Sequence, residues 1–239
     1  MGRQHHNEGM RVDVVADASG RDGGFVAERL VALGAGLDVL DRDDLGGPGA
    51  RPEPDLLLLL GSSKTAHDPR LDPVVRAETR YSLAALDAGV PVMAIGYGAQ
   101  VLARALGGTS YAAAEPEIGW RRVDTVDAAL CPRGPWAQFH EDVFVPPPTA
   151  RVLGTSWYGP QCFVDESRAA RAIAWQFHPE ATAEAFAGWV SEGEPYDAWD
   201  VDPREVVRQA RTRESASRRA AHALVDAALS YLRVAVSTG

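Results

Sequence analysis

The chain has 239 residues, 46% hydrophobic and 24% charged, with 33 acids against 24 bases for a formal charge of −9. This is ordinary globular composition, long enough to bury a sizeable core without staples, and it excludes wholesale disorder. The acidic balance argues against a phosphate-tracking nucleic-acid binder.

Residues 1–10 read as a flexible polar lead-in, in which His5 and His6 are an adjacent pair of no functional weight. Residues 11–239 read as a single domain. Met10–Ala16 is a short apolar run that predicts a first strand. Gly24–Leu33 has Phe25, Leu30 and Leu33 at helical spacing and stops at Gly34 and Gly36. Leu37–Leu40 predicts a second strand, and Asp41–Pro54, with its acids, glycines and prolines, a loop. Five leucines, Leu56–Leu60, stand between Pro54-Asp55 and Gly61-Ser62-Ser63. So short and apolar a run predicts a strand buried on both faces, as in a parallel sheet covered by helices. Asp72-Pro73 predicts a helix start with Asp72 as its cap, running to about Ala88. Val90–Ile95 then predicts a buried strand and Gly98–Leu106 a helix closed by Gly107-Gly108. This alternation with short connections predicts an α/β fold with a doubly wound, mostly parallel sheet.

In the second half, Arg121–Thr125, Asp142–Val145, Arg151–Thr155, Cys162–Val164 and Ala172–Gln176 predict short strands, an antiparallel or mixed extension of that sheet. Thr182 caps a helix over Ala183–Val190. Asp202-Pro203-Arg204-Glu205 predicts a second capped start, with Glu205 closing a capping box. The helical segment of about 203–233 carries an apolar stripe of Ala221, Leu224, Val225, Ala228, Leu229 and Leu232. Its other face holds Arg204, Arg208, Arg211, Arg213, Arg218 and Arg219 and reads as solvated rather than as an RNA or phosphate site. The two cysteines, Cys131 and Cys162, form no CxxC and indicate neither a disulfide framework nor a zinc ribbon. Leu56–Leu60 is far short of the ~20 residues of a membrane span, and the first residues have no signal-peptide core. A cytoplasmic protein without membrane or nucleic-acid partners is expected.

Two stretches carry chemistry. In Pro91–Gln100 a buried strand runs into a turn with Ala94, Gly96 and Gly98 and leaves at once as a helix. This pattern is that of a nucleophile elbow, in which a strained turn exposes the central residue and backbone N–H groups at the helix start stabilise an oxyanion. The central residue here is Gly96, which has no side chain. On the residues alone, a glycine-permitted strand-to-helix turn accounts for the stretch. In Trp175–Glu180, His178 follows a strand, and Pro179 sets the chain so that Glu180 sits beside the imidazole. A carboxylate so placed fixes the tautomer of a histidine base.

Together these stretches resemble the class I (triad) glutamine amidotransferases, and within them the stand-alone, GMP-synthase-like branch. The resemblance covers most of the chain. Leu56–Asp68 resembles the strand and oxyanion loop, Pro91–Gly108 the elbow and its helix, and Glu115–Trp120 a family loop. Gln138–Asp142 resembles a Trp-His-x-Asp segment with Phe139 for Trp, and Gln176–Glu180 the His-Pro-Glu motif. The resemblance implies a flavodoxin-like sheet, with His178 as general base and Glu180 as its orienter. It implies oxyanion donors around Gly61, Ser62 and Tyr97, and substrate contacts from Gln100 and His140. Neither a metal nor a cofactor is implied. Gly96 stands where the family has its cysteine, Ala94 where it has a first glycine, and Gly61-Ser62-Ser63 where it has a Gly-Gly-Pro-like loop.

Two functions of different class follow. One is a repurposed enzyme acting on a glutamine-like or γ-glutamyl amide through His178 and Glu180 without a thioester. Ser62 or Ser63 as a substitute nucleophile is a poorer variant of it. The other is a non-catalytic glutamine-binding or scaffold subunit of an amidotransferase or synthetase. An ordinary glutaminase would need a cysteine at position 96. If His178 and Glu180 converge on the Gly96 turn, a small polar void is expected where a cysteine sulfur would sit.

Overall fold

Strand alternation explains the five leucines. In the computed structural model, which describes residues 9–18, 22–45, 53–192 and 201–235, Leu56, Leu58 and Leu60 face one apolar cluster and Leu57 and Leu59 the opposite one. The elements in chain order are β1 (Arg11–Ala16), α1 (Gly24–Ala32), β2 (Gly36–Asp41), β3 (Leu56–Leu59), α2 (Asp72–Asp87), β4 (Val92–Ile95) and α3 (Tyr97–Ala105). After them come β5 (Thr109–Arg121), β6 (Asp124–Thr125), β7 (Trp136–Val145), β8 (Arg151–Ser156), β9 (Gly159–Asp165), β10 (Ala172–Trp175), α4 (Ala183–Glu192) and α5 (Pro203–Leu232). Eight strands form one sheet in the order β2-β1-β3-β4-β10-β9-β8-β6. The first five are mutually parallel, and β9, β8 and β6 extend the sheet antiparallel.

Both faces of the parallel part are covered. Val26 and Leu30 of α1 and Leu224, Val225, Ala228 and Leu229 of α5 pack with the Leu56 face. Leu86 of α2 and Ala99, Leu102 and Ala103 of α3 pack with the Leu57 face. Burying each leucine side chain contributes about 1.5–3 kcal/mol, so this central strand anchors the sheet. The open carboxyl edge of a doubly wound sheet is where such folds place their chemistry. Here that edge carries Asp17, Gly61, Gly96 and the segment after Trp175.

Several expectations need correction. The cap before α2 is Asp68, which accepts from the Arg70 N–H at 2.8 Å and starts a 3-10 turn over Pro69–Leu71; Asp72 is already helical. The capping box at α5 is half made: Asp202 accepts from the Arg204 N–H, while Glu205 turns to Arg208 and Gln209. Strand β5 was not expected. It pairs with β7 as a separate two-stranded ribbon with a register shift between Ala112 and Glu117. Pro116, a strand breaker, and the run of alanines before it hide this strand from a pattern reading. The ribbon, α4 and α5 share a third cluster around Ile118, Ala137, Phe186 and Val206. Residues 1–8, with His5 and His6, and part of the expected 41–54 loop lie outside the described residues. Among the described residues no helix is long and apolar enough to cross a membrane.

Glycine marks the tightest packing in this frame. A β-carbon on Gly98 would lie 2.5 Å from the Leu59 carbonyl oxygen, so only glycine lets α3 approach β3 this closely. Gly98→Ala should therefore cost about 1–3 kcal/mol by overpacking. Gly188 of α4 has open space around its β-position, and Gly188→Ala should instead stabilise by about 0.5–1 kcal/mol. Denaturant melts of both variants check the pair; equal effects would contradict the packing described.

Candidate functional site

Gly96 ends β4 and begins α3 with φ 56° and ψ −119°, a conformation that L side chains resist. Its N–H donates to the Trp175 carbonyl at 2.8 Å, and its carbonyl accepts from the N–H groups of Ala99 and Gln100. The turn is thus fixed on one side by β10 and on the other by the first turn of α3. From β10 the chain continues to His178, whose N–H donates to the Ala137 carbonyl of β7 at 2.9 Å. Trp189 of α4 packs its ring 5.0 Å from the imidazole. His178 Nδ1 lies 2.7 Å from Glu180 Oε1, and the two residues are only 8% and 6% exposed. The Glu180 carbonyl in turn accepts from the Phe25 N–H at the start of α1, at 3.0 Å. Nδ1 therefore carries the proton given to Glu180, and Nε2, buried without a partner, is the free nitrogen.

His178, Glu180, Gly96 and Gly61 meet at one point. A β-carbon on Gly96 would lie 2.8 Å from His178 Cε1 and 3.3 Å from Nε2, and one on Gly61 would lie 3.3 Å from Cε1 and 3.9 Å from Glu180 Oε1. With no side chain at 96 to hold it off, the imidazole edge packs onto the turn and takes the space a β-carbon would need.

A family model for glutamine amidotransferase class-I matches residues 25–190. That span is more than half of the chain. The chain belongs to the class-I glutamine amidotransferase family. Among its relatives, the GMP synthase [glutamine-hydrolyzing] of Parafrankia sp. (strain EAN1pec) is 34% identical over 137 residues, covering 53% of this chain and 23% of that protein. The enzyme of the same name from Allorhizobium ampelinum is 30% identical over 169 residues, covering 65% of this chain and 30% of that one. The chain thus spans less than a third of the length of these relatives. A glutamine amidotransferase from Thermotoga maritima has a similar structure, with TM-score 0.77 and 26% identity over 93% of this chain and 98% of its own. A glutamine amido transferase from Methylobacillus flagellatus shares the fold at TM-score 0.74 and 22% identity, over 97% and 98% of the two chains.

In this family member the residues expected around the substrate are engaged internally. Gln100 sends Nε2 to the Asp142 carbonyl at 3.5 Å, while its buried Oε1 has no partner. His140 places Nδ1 3.0 Å from the same carbonyl, and Nε2 at 3.2 Å from both Glu117 Oε2 and Gln138 Oε1. Ser156 and Gln161 also donate to Glu117, which completes a buried polar cluster. Burial raises the Asp142 carboxyl above its usual range against the opposing pull of His67, Thr65 and His140. The Ser62 hydroxyl accepts from the Lys64 N–H at 3.0 Å and bonds Asp17. Cys131 and Cys162 are free thiols buried in the core behind the sheet, and burial raises Cys162 well above the thiol range.

The sequence reading missed Arg42 and Glu78. Arg42 lies fully buried below the Gly61 loop, in a segment read as a loop. Glu78 does carry a signal, since it stands on the buried stripe of α2 with Val75, Ser82 and Leu86. Among the described residues no group of His, Cys, Asp or Glu has the arrangement of a metal site.

The contact between His178 and the turn predicts the effect of a single methyl. Gly96→Ala should lose about 1–3 kcal/mol from the strained dihedrals and displace the imidazole. Thermal melts and the His178 Cε1–H NMR signal measure both. An unchanged signal at an unchanged melting temperature would contradict the packing of the ring on Gly96.

Proposed function

We propose that this chain binds a glutamine-like or γ-glutamyl amide at the carboxyl edge of the sheet and hydrolyses it without a covalent intermediate. The observation that carries the reading is the buried His178–Glu180 pair, with Nε2 unpartnered beside the Gly96 turn. In this mechanism His178 Nε2 takes a proton from water as its oxygen bonds to the amide carbon. The same proton then goes to the departing nitrogen as the C–N bond breaks, leaving a carboxylic acid and ammonia or an amine; the acid then passes its remaining proton to the released amine, so the products are a carboxylate and an ammonium. Glu180 holds the ring and stabilises the imidazolium, while N–H groups of the Gly61–Ser62 loop and of Tyr97 receive the developing oxyanion. General-base catalysis of this kind supplies about 10²–10⁴-fold, and each oxyanion donor about 10²–10³-fold. Gly96, in the position of the family nucleophile, offers no atom for a thioester.

A second reading has its own support. The imidazole fills the space above Gly96, and Gln100 and His140 already have internal partners, as in a site that has closed on itself. On that reading the chain is a glutamine-binding or scaffold subunit, and the fraction of the GMP synthases it spans is consistent with a synthetase partner.

Release of ammonia or amine from glutamine and simple γ-glutamyl amides separates the two. The proposed enzyme turns over at least one of these amides, His178→Ala and Glu180→Ala each lower the rate by about 100-fold or more at unchanged melting temperature, and diazo-oxo-norleucine leaves it active for want of an elbow thiol. Saturable binding with no release, unaltered by His178→Ala, would overturn hydrolysis in favour of the scaffold.

A further inference from the structure

Arg42 is one of the most costly residues in the molecule to bury. Its side chain is fully enclosed between the carboxyl ends of β1 and β3 and helix α2. Nη1 lies 2.8 Å from Glu78 Oε1, itself fully buried, and Nε lies 3.1 Å from Asp17 Oδ1. Nη2 donates to the carbonyls of Leu60 at 3.0 Å and Gly61 at 3.1 Å. The guanidinium also stacks over the Tyr97 ring, 4.6 Å from its centre. Lys64, on the same loop, closes the outer side with bonds to Asp17 at 2.6 Å and Asp43 at 3.2 Å.

Stability does not account for this arrangement. Apolar residues of similar volume commonly replace buried ion pairs with no loss, because desolvation consumes most of the Coulomb gain. Glu78 reflects that cost: burial raises its carboxyl above the usual range, with Arg42 and Tyr97 pulling it back down. What an apolar substitute cannot do is hold two successive carbonyls. The Gly61–Ser62 peptide is trans, so its C=O and N–H point in opposite directions. Pinning the Gly61 carbonyl on the guanidinium therefore turns the Ser62 N–H away from Arg42. The same cation braces the ring of Tyr97, the residue after the Gly96 turn. Arg42 thus holds the carbonyls of one segment and the side-chain ring of the other, the two segments that the proposed function uses as oxyanion donors.

We infer that Arg42, held by Glu78 and Asp17, is a positioning residue that fixes the Gly61–Ser62 peptide and the Tyr97 end of the elbow in oxyanion-binding orientation. Its catalytic consequence rests on the reading given under Proposed function; its hold on the peptide does not. Arg42→Met would strand two carboxylates and endanger folding, so the working variant is Arg42→Met/Glu78→Gln, with Arg42→Lys beside it to keep the charge and lose the fork.

Crystal structures of the variants and amide-release kinetics test the inference together. The expected result is a rotated Gly61–Ser62 peptide in the double variant and a kcat lowered by about 100-fold, the scale of one lost oxyanion donor, with KM within about threefold. Arg42→Lys should fall between. An unrotated peptide in the double variant overturns the inference whatever the kinetics. A rotated peptide with kcat unchanged overturns the catalytic part. If the unaltered chain releases no amine at all, the proposed hydrolysis falls, and the rotation alone decides whether Arg42 holds the loop.

Discussion

The contact between the His178 imidazole and Gly96 is the constraint around which the rest of the site is arranged. Four parallel strands end at one edge, and each delivers one part of that contact. β4 supplies the positive-φ turn, β3 the Gly61 loop, β10 the histidine and its carboxylate, and β1 the Asp17 that joins the charge network below. Glycine at 96 meets two separate demands: the turn needs its dihedrals, and the ring needs its missing β-carbon. A residue with a side chain could satisfy neither without moving the histidine.

The histidine is held from more directions than a surface base requires. Ala137 fixes its backbone, Trp189 its ring face, Glu180 its Nδ1, and the start of α1 fixes Glu180 through its carbonyl. The ribbon of β5 and β7 and the α4–α5 pair therefore have a role at the site, since they carry Ala137 and Trp189. Beneath the site a second, charged layer sets the backbone. One layer holds the His178 imidazole and the other holds the Gly61 and Tyr97 segments, and they meet at Gly61.

The sequence made the parallel half legible because its signals are local. Five leucines between turn residues, glycines after each helix and small residues at 94, 96 and 98 each specify an element without help from distant residues. His178-Pro179-Glu180 was equally legible, since a proline-spaced carboxylate has few other uses next to a histidine. The failures share a different cause: they depend on partners far along the chain. β5 exists because β7 and α5 cover it, against the local vote of Pro116 and Ala112–Ala114. Arg42 looked like part of an acidic loop, and only the fold brings it to Glu78, 36 residues away.

The family relationship specifies the fold, and position 96 of this chain is a glycine. Under the proposed function an amide is hydrolysed here by a histidine-activated water with no acyl-enzyme. Intact-protein mass spectrometry on acid-quenched samples during turnover of a γ-glutamyl amide tests it most directly. The expected result is a chain of unmodified mass at every time point while amine accumulates. A γ-glutamyl adduct on any residue would contradict it, as would a failure of the native chain to release amine at all.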